Sequence, residues 1–337
     1  MPLAAASPQH LPLHPPQHPL LLLLKHPLLL LPKPAAPAPT AAPAAPAASP
    51  APAAPAAPAA PAADVLKDAA TGYFANFPED KHMIGVPDLF KKIDAKEEII
   101  IIDVRQPADY EKGHLKGAYN VPLGPTVATS LELIPNDVPL FINCYTGQTS
   151  SQVVALLNIA GKFATNIQGG FNNGISKAEG FEKYVDTTAA TLPTESYPVD
   201  EAIKTAVAKY FADMDAAAGT FKYFNFPAAS LKELVAAESE DYTILSIRKA
   251  EDFAKGHIAG AINIPFGKGM QEHFSEIPAG KPVVVYCYSG QTSSQTTAVL
   301  RMLGYEAYSL AGGMGKKAEG DTKGSGWLGV DGPVVTA

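Results

Sequence analysis

The chain has 337 residues and a net charge of −7 at neutral pH. An acidic balance disfavours binding to nucleic acid and to anionic membrane surfaces, so neither is an expected partner. The two cysteines are too few for a disulfide framework, although a single Cys144–Cys287 bridge stays open from the sequence.

The first 63 residues have a composition unlike that of a folded domain. Residues 1–63 contain 18 of the 32 prolines and no glycine, no acidic residue and no Phe, Tyr or Trp. Such a segment buries too little varied apolar surface to offset its ordering entropy. The Pro/Ala-rich part from Pro34 onward is typical of a stiff, extended linker. We therefore predict a low-complexity segment over 1–63.

A leucine-rich stretch inside this segment, HPLLLLLKHPLLLLPK, is long enough for the core of a signal peptide. The residues before it include no Lys or Arg, and Lys25, His26 and Pro27 interrupt the leucines. A membrane-spanning helix needs about 20 apolar residues in a row, so no stable span is expected. Two alternatives stay open: export through this stretch, and a cytoplasmic protein with a plain N-terminal tail.

The rest of the chain is an internal repeat. Four landmarks of the first copy each recur 143 residues later: Arg105, His114, Cys144 and the pair Gly169-Gly170. Upstream the copies diverge, and Pro87 aligns with Pro227 at an offset of 140. Self-similarity at a fixed offset indicates duplication of one domain, so we predict domains over 64–190 and 200–330.

Each copy has the pattern of strands that alternate with helices. Continuous apolar runs at 97–105 and 138–144 are typical of strands buried on both faces. A short helix is expected between Pro107 and Gly113, and a longer one follows the second run and ends at Gly161. This order predicts an α/β fold in each copy, with a mostly parallel sheet flanked by helices.

Both cysteines open the same polar loop between a strand and a helix, CYTGQTSSQ from Cys144 and CYSGQTSSQ from Cys287. Gly147 and Gly290 allow a tight turn with inward amides, and a helix N-terminus favours a thiolate and binds small oxyanions. We expect the hydroxyls at the helix start to cap the helix or to donate to the anion. These are the hydroxyls of Thr149, Ser150, Thr292 and Ser293. The pattern predicts a nucleophilic cysteine.

Three landmarks in each copy resemble those of tandem rhodanese-domain proteins of the thiosulfate sulfurtransferase type. They are a strand end followed by an acidic-aromatic helix, a Gly-His turn, and the cysteine loop. The first copy has IIDVRQPADYEKGHLKGAYNVPLG, and the second has ILSIRKAEDFAKGHIAGAINIPFG. The resemblance implies that Cys144 and Cys287 each take a sulfane sulfur as a persulfide and pass it to cyanide or a thiol. The implied partners are a small sulfur-containing substrate and a thiol acceptor. No cofactor or metal is expected.

The resemblance also implies which residues hold the sulfur. Loop amides are expected to stabilise the thiolate and persulfide, those of Tyr145, Thr146, Gly147, Gln148, Thr149 and Ser150, and of Tyr288, Ser289, Gly290, Gln291, Thr292 and Ser293. Asp103, Arg105 and Arg248 are expected to support the loops. Since Ser246 stands where the first copy has Asp103, we expect two active sites with the first favoured.

The sequence departs from the family at the residue after each cysteine. Many active members have Arg there, whereas this chain has Tyr145 and Tyr288. A charge-assisted bond to an oxyanion contributes about 1.5–3 kcal/mol, so a neutral persulfide or polysulfide is the expected donor over thiosulfate. Two other functions stay open. One is a non-catalytic module that binds sulfide species or a partner, and the other is a phosphatase or arsenate reductase, which the missing loop arginine disfavours. The GGFNNG stretch at 169–174 is expected to be a turn.

Overall fold

The computed structural model describes residues 60–319 and 323–336. The predicted linker and the leucine-rich stretch lie outside the described residues, except that a helix begins at Ala60. Within the described part of the chain, no helix is long and apolar enough to cross a membrane.

The first copy contains seven short strands and five helices among the described residues. Its strands are β1 (Met83–Ile84), β2 (Ile100–Asp103), β3 (His114–Leu115), β4 (Tyr119–Asn120), β5 (Leu140–Asn143), β6 (Ala164–Ile167) and β7 (Val185–Asp186). Its helices are α1 (Ala60–Ala75), α2 (Val86–Asp94), α3 (Pro107–Tyr110), α4 (Pro125–Thr129) and α5 (Gln148–Ile159). The predicted alternation of strands and helices is confirmed.

The second copy repeats this plan. Its helices are α6 (Glu201–Ala216), α7 (Ala228–Ala236), α8 (Ala250–Lys255), α9 (Gln291–Met302) and α10 (Gly326–Gly329). Its strands are β8 (Asn225–Phe226), β9 (Thr243–Ser246), β10 (Ile262–Asn263), β11 (Val283–Tyr286) and β12 (Ala307–Leu310).

The two main sheets have the same strand order. The first is β1-β6-β5-β2-β4, the second is β8-β12-β11-β9-β10, and all neighbouring strands in them run parallel. β5 and β11 lie at the centre, and all four residues of each are buried, as their apolar sequences predict. Each cysteine therefore follows a central strand at its carboxyl end, the edge where open α/β sheets bind ligands.

Two predicted details are corrected by the structure. Strand β2 covers Ile100–Asp103 rather than 97–105, because the residues before Ile100 form a turn around Lys96, whose φ is 53°. Pro87 and Pro227 are not equivalent, since Pro87 lies in the first turn of α2 whereas Pro227 is the N-cap of α7. Proline is tolerated at both places because the amide that it lacks would make no intrahelical bond there.

The two copies pack through the helices that follow their cysteine loops. α5 lies against α9, and apolar residues of both copies form one cluster. The first helix of each copy also contacts the other copy. Tyr73 of α1 donates to Gln295 of α9 at 2.8 Å, and Tyr210 of α6 donates to Gln152 of α5 at 2.7 Å. Burial raises the pKa of both phenols, which therefore stay protonated donors. Both cysteine loops thus begin next to the interface between the copies.

Candidate functional site

The first cysteine lies where β5 ends and α5 begins. Gly147 is the N-cap of α5 with a left-handed φ of 82°, and its amide donates to Cys144 Sγ at 3.1 Å. The Ser150 hydroxyl lies 3.1 Å from the same sulfur and 2.6 Å from Asn166 Oδ1. The loop therefore directs an amide and a hydroxyl at the sulfur, and such donors stabilise an anion there.

The second cysteine has a similar environment but, among the described residues, fewer hydrogen-bond donors to its sulfur. The Gly290 amide donates to Cys287 Sγ at 3.1 Å. The Ser293 hydroxyl instead pairs with the hydroxyl of Ser309 at 2.9 Å, because Ser309 stands where the first copy has Asn166. Among the hydrogen bonds of the described residues, Cys287 Sγ thus has one donor where Cys144 Sγ has two. The duplicated loops form related sites that are not identical.

A glycine pair closes each loop from the side opposite the helix. The amide of Phe171 donates to the Cys144 carbonyl at 2.7 Å, and Gly170, with φ of 59°, lies directly under the loop. A Cβ on Gly170 would lie 2.5 Å from the Cys144 oxygen and 2.6 Å from the Gly147 nitrogen. Gly313 has the same relation to the second loop, where a Cβ would lie 2.8 Å from the Cys287 oxygen. The loops close because these residues lack side chains.

The GGFNNG stretch was predicted as a turn, and it forms a π-helical segment over Gly170–Gly174. The glycine pair at its start was visible in the sequence as a landmark of the repeat. Its role under the cysteine loop was missed, as was the role of Asn166 beside Ser150. Recurrence of the pair in both copies was the available signal for the glycines.

Both thiols are free, so the disulfide that the sequence left open is not formed. Both are also buried, with exposed fractions of 1% for Cys144 and 2% for Cys287. Reactive cysteines are usually partly exposed, whereas inert ones are buried. In this conformation a sulfur donor therefore has almost no direct access to either thiol.

The tyrosine after each cysteine is held by a carboxylate. Tyr145 donates its hydroxyl to Asp109 Oδ2 at 2.7 Å, and Tyr288 donates to Asp252 Oδ2 at 2.6 Å. Burial, and then the hydrogen bond to the carboxylate, raise the pKa of both phenols. The hydrogen bonds from Lys112 and Tyr145 lower the pKa of Asp109. At neutral pH each pair is thus a neutral phenol that donates to a carboxylate. The residue that follows each cysteine therefore provides no positive charge.

A cleft of about 430 Å³ opens beside Tyr145. Its lining includes two cations, Arg105 and Lys112, and each is within 2.7 Å of a carboxylate oxygen, of Asp103 and Asp109 respectively. The cleft is large enough for a small molecule, and neither lining cation is without a carboxylate partner.

The supporting residues differ between the copies. Asp103 and Arg105 are both buried and form a two-pronged ion pair, with Nη2 to Oδ2 at 2.7 Å and Nε to Oδ1 at 3.0 Å. Asn143 donates to the same carboxylate at 3.0 Å. Arg248 is also buried and donates to the carbonyl of Gly256, but its Nε has no hydrogen-bond partner among the described residues.

The remaining loop residues lie at different depths. Thr146 and Ser289 are exposed, and Thr149 and Thr292 are half-buried. Of the two roles expected of the hydroxyls, helix capping does not occur, because Gly147 and Gly290 are the N-caps and the described residues give neither helix a side-chain cap. A left-handed glycine at the N-cap leaves the following hydroxyls inside the first turn, so Ser150 turns towards the sulfur instead. Gln148 and Gln291 extend across the interface into the other copy. Among the described residues, no group of three or more His, Cys, Asp or Glu is placed to hold a metal ion.

The sequence of this chain matches a known protein family. The profile described as "Rhodanese-like domain" matches residues 86–177 and 227–317, which is more than half of the chain. The chain belongs to the rhodanese-like family. The two matched segments contain one cysteine loop each, so the protein has two rhodanese-like domains in tandem, as the motifs predicted.

Several relatives of this rhodanese-like chain are named for sulfur chemistry. The thiosulfate sulfurtransferase GlpE of Coxiella burnetii is 35% identical over 77 residues, which is 23% of this chain and 71% of that protein. A tRNA sulfurtransferase of Desulfurococcus amylolyticus is 32% identical over 110 residues, 31% of this chain and 22% of the relative. The putative sulfur carrier protein YrkF of Bacillus subtilis is 32% identical over 90 residues, 26% and 48% of the two chains. The match spans less than half the length of the last two relatives.

Solved structures of the family also match. SseA of Escherichia coli, described as a 3-mercaptopyruvate sulfotransferase with the rhodanese fold, is 19% identical with a TM-score of 0.31. The match covers 68% of this chain and 98% of SseA. A rhodanese-related protein of Thermoplasma volcanium is 26% identical with a TM-score of 0.28, over 34% of this chain and 98% of that one.

Proposed function

We propose that this protein is a sulfurtransferase that carries sulfane sulfur as a persulfide on Cys144 and Cys287. The observation that carries the proposal is the pair of donors aimed at sulfur, the Gly147 and Gly290 amides at 3.1 Å from the two thiols. Each lies at a helix N-terminus, where negative charge is stabilised. Relatives named as a thiosulfate sulfurtransferase and a putative sulfur carrier support the same class.

The proposed reaction has two displacements at sulfur. The thiolate attacks the terminal sulfur of the donor, a new S–S bond forms, and the donor S–S bond breaks with its electron pair leaving on sulfite or on a shortened polysulfide. Cyanide or a thiolate then attacks the terminal sulfur of the persulfide. The cysteine S–S bond breaks, its electron pair restores the thiolate, and thiocyanate or a new persulfide leaves. Sγ is negative before and after the cycle, and the Gly147 amide and Ser150 hydroxyl stabilise that charge.

The surroundings of the loop favour an uncharged or diffuse donor. Tyr145 and Tyr288 offer neutral phenols where a guanidinium would bind a sulfur oxyanion, and both phenols already donate to carboxylates. We therefore propose polysulfides or persulfides as donors in preference to thiosulfate. A missing charge-assisted bond of about 1.5–3 kcal/mol corresponds to roughly 10- to 100-fold in loading efficiency.

Intact mass spectrometry of the reduced protein tests this proposal. The protein is incubated with polysulfide or with thiosulfate, weighed, and weighed again after cyanide is added. We expect polysulfide to add one sulfur per cysteine, slower loading from thiosulfate, and removal of the added mass by cyanide with release of thiocyanate. Loading from thiosulfate as fast as from polysulfide would contradict the donor preference alone. No adduct from either donor, in a folded sample, would contradict the sulfurtransferase proposal.

One observation favours a second candidate function, a non-catalytic rhodanese-like module that binds or senses sulfide species. Both thiols are buried, as is usual for unreactive cysteines. Turnover separates the two candidates. A sensor would hold a persulfide without passing it on, whereas a sulfurtransferase forms thiocyanate in amounts well above two per chain.

Gly170→Ala is expected to impair loading at Cys144 and to leave Cys287 intact. The new Cβ would lie 2.5 Å from the Cys144 oxygen, whereas ordinary contacts begin near 3.4 Å, so the loop must shift. A misplacement of about 1 Å costs on the order of 10²-fold in rate. Digestion after a short exposure to polysulfide, followed by peptide mass spectrometry, measures loading at each cysteine separately.

Gly180→Ala is the matched control. Gly180 also has a left-handed φ, of 68°, but no atom of residues 60–319 and 323–336 lies within 4 Å of its Cβ position. This variant carries the backbone strain, about 1–2 kcal/mol of stability, without a clash at the loop. Equal loading of Cys144 in Gly170→Ala and Gly180→Ala would argue against the role assigned to the glycine pair.

A further inference from the structure

The glutamine of each cysteine loop serves the loop of the other copy. Gln148 and Gln291 occupy the same position, four residues after Cys144 and Cys287, and their backbones belong to their own loops. Their side chains cross the interface between α5 and α9. We call these two residues the crossed glutamines.

In the first copy, the crossed glutamine is Gln291. Its Oε1 accepts hydrogen bonds from Asn166 Nδ2 at 3.0 Å and from the Gly169 amide at 3.1 Å. A Cβ on Gly147 would meet the Gln291 side chain, with Cδ at 2.9 Å. Gln291 therefore lies directly on the turn that presents its amide to Cys144.

The contact with Asn166 continues to the sulfur. Because Gln291 takes the Nδ2 hydrogen, the amide of Asn166 is oriented with Oδ1 towards Ser150, at 2.6 Å from its hydroxyl. Ser150 Oγ is 3.1 Å from Cys144 Sγ. A serine hydroxyl has one hydrogen, so it donates to Asn166 or to the sulfur at any moment. Fixing Asn166 thus controls how readily Ser150 donates to a thiolate or persulfide at Cys144.

Gln148 holds the equivalent place in the second copy. Its Nε2 lies 3.1 Å from the Ser309 hydroxyl, and its Oε1 accepts from the Gly312 amide at 3.2 Å. Ser309 in turn pairs with Ser293. A Cβ on Gly290 would lie 2.7 Å from Gln148 Cδ. The exchange is therefore reciprocal, and Gln148 is almost fully buried in it.

We infer that Gln291 is a positioning residue for the Cys144 site and that Gln148 is a positioning residue for the Cys287 site. This inference rests on the proposed function, since each glutamine would then position the sulfur-carrying cysteine of the other copy. Neither site is complete within its own copy. Each glutamine has two roles, with its backbone in one site and its side-chain oxygen in the other, and Gln291 Nε2 additionally donates to the Ser289 hydroxyl of its own loop at 3.2 Å.

Crossed effects of single substitutions test this inference. Gln291→Met keeps the size of the side chain but removes its hydrogen bonds, and Gln148→Met does the same on the other side. Each full-length variant is treated briefly with iodoacetamide, and alkylation at each cysteine is read from peptide masses. We expect Gln291→Met to raise the alkylation rate of Cys144 about fivefold, the ratio for one net hydrogen bond of about 1 kcal/mol, and to change that of Cys287 far less, because the bond lost in its own loop is to the exposed Ser289 hydroxyl. Gln148→Met should change alkylation at Cys287 and not at Cys144, through the Gly290 turn on which the Gln148 side chain packs.

Gln295→Met is the matched control. Gln295 lies one turn further along α9 and also crosses to the first copy, where it bonds Tyr73 and the Lys81 carbonyl. Among the described residues, the hydrogen bonds of Gln295 do not involve Asn166 or Gly169, which Gln291 bonds. Gln295→Met therefore shows what the loss of polar contacts across the interface does by itself. We expect lower stability in Gln295→Met without a selective change at Cys144.

Alkylation does not require sulfur transfer, so this test can succeed when the proposed function fails. An effect of each glutamine on its own cysteine, an equal effect on both cysteines, or no effect at either would overturn the inference. So would a selective change at Cys144 in Gln295→Met. A crossed pattern in alkylation with no persulfide on either cysteine would reject the sulfurtransferase proposal and retain the positioning roles. When persulfides do form, their rates of removal by cyanide should show the same crossed pattern.

Discussion

Replacing both cysteines by serine is expected to abolish sulfur transfer to cyanide. Removal of an enzyme's nucleophile typically lowers the rate by about 10³- to 10⁶-fold, and no other thiol exists in this chain to replace it. A serine hydroxyl stays protonated at neutral pH and forms no persulfide. The variant Cys144→Ser/Cys287→Ser should therefore gain no sulfur mass from polysulfide and form thiocyanate only at the background rate.

The single variants give this prediction its internal control. Cys144→Ser and Cys287→Ser should each accept one sulfur. Since Ser150 is placed to donate to Cys144 Sγ besides the Gly147 amide, whereas the described residues give Cys287 Sγ the Gly290 amide alone, we expect Cys287→Ser to be the more active of the two. Serine is close to cysteine in size and can accept the same amide hydrogen bonds, so thermal melting should change little. Full activity in the folded double variant would exclude both cysteines as sulfur carriers.

The fold could be predicted from the sequence because its determinants are local or repeated. Buried strands such as β5 and β11 are continuous apolar runs, and the offset of 143 residues aligns them without insertions. The turn at Gly147 also follows from the chain, because a glycine between a strand and a helix favours a left-handed φ. The divergent region upstream was misaligned at Pro87, where no identical motif fixed the register.

The site was predictable only in part, because its completion depends on contacts between distant segments. The sequence indicates that Cys144 begins a polar loop, but not that its thiol is buried or that Gln291 of the other copy bonds the Gly169 amide beside that loop. Identical glutamines in both loops are compatible with many side-chain directions. Their crossing follows from the packing of α5 on α9, which brings residues 122 to 164 positions apart in the chain into contact. The expectation that hydroxyls cap the helix differs from the structure for a local reason, because Gly147 itself is the N-cap residue of α5.

The pair Asp103 and Arg105 shows how one substitution separates the two copies. In the first copy, a buried carboxylate accepts from the guanidinium at two nitrogens and from Asn143. In the second copy, Ser246 and Tyr286 stand at the positions of Asp103 and Asn143, and within the described part of the chain the Nε of Arg248 has no hydrogen-bond partner. A buried charge without its partner is strongly unfavourable, whereas a well-bonded pair roughly offsets its own desolvation. The two copies therefore support this arginine differently: the first provides a buried carboxylate, and the second provides the Gly256 carbonyl and the Tyr286 ring, whose centroid lies 5.5 Å from the guanidinium carbon.

Asp103→Ser is accordingly expected to lower the free energy of unfolding by about 3–5 kcal/mol, because it leaves the buried Arg105 guanidinium without its carboxylate partner. The reciprocal change Ser246→Asp supplies a carboxylate to Arg248 and should raise stability by about 1.5–3 kcal/mol, the usual contribution of hydrogen bonds to charged groups. Urea unfolding measures both, with the midpoint shifting while the slope stays constant. Opposite signs for the two variants would identify the carboxylate as the stabilising group. A neutral Asp103→Ser would mean that Arg105 finds another partner, and the contact of its guanidinium with the Phe171 ring, at 3.9 Å, is the nearest candidate.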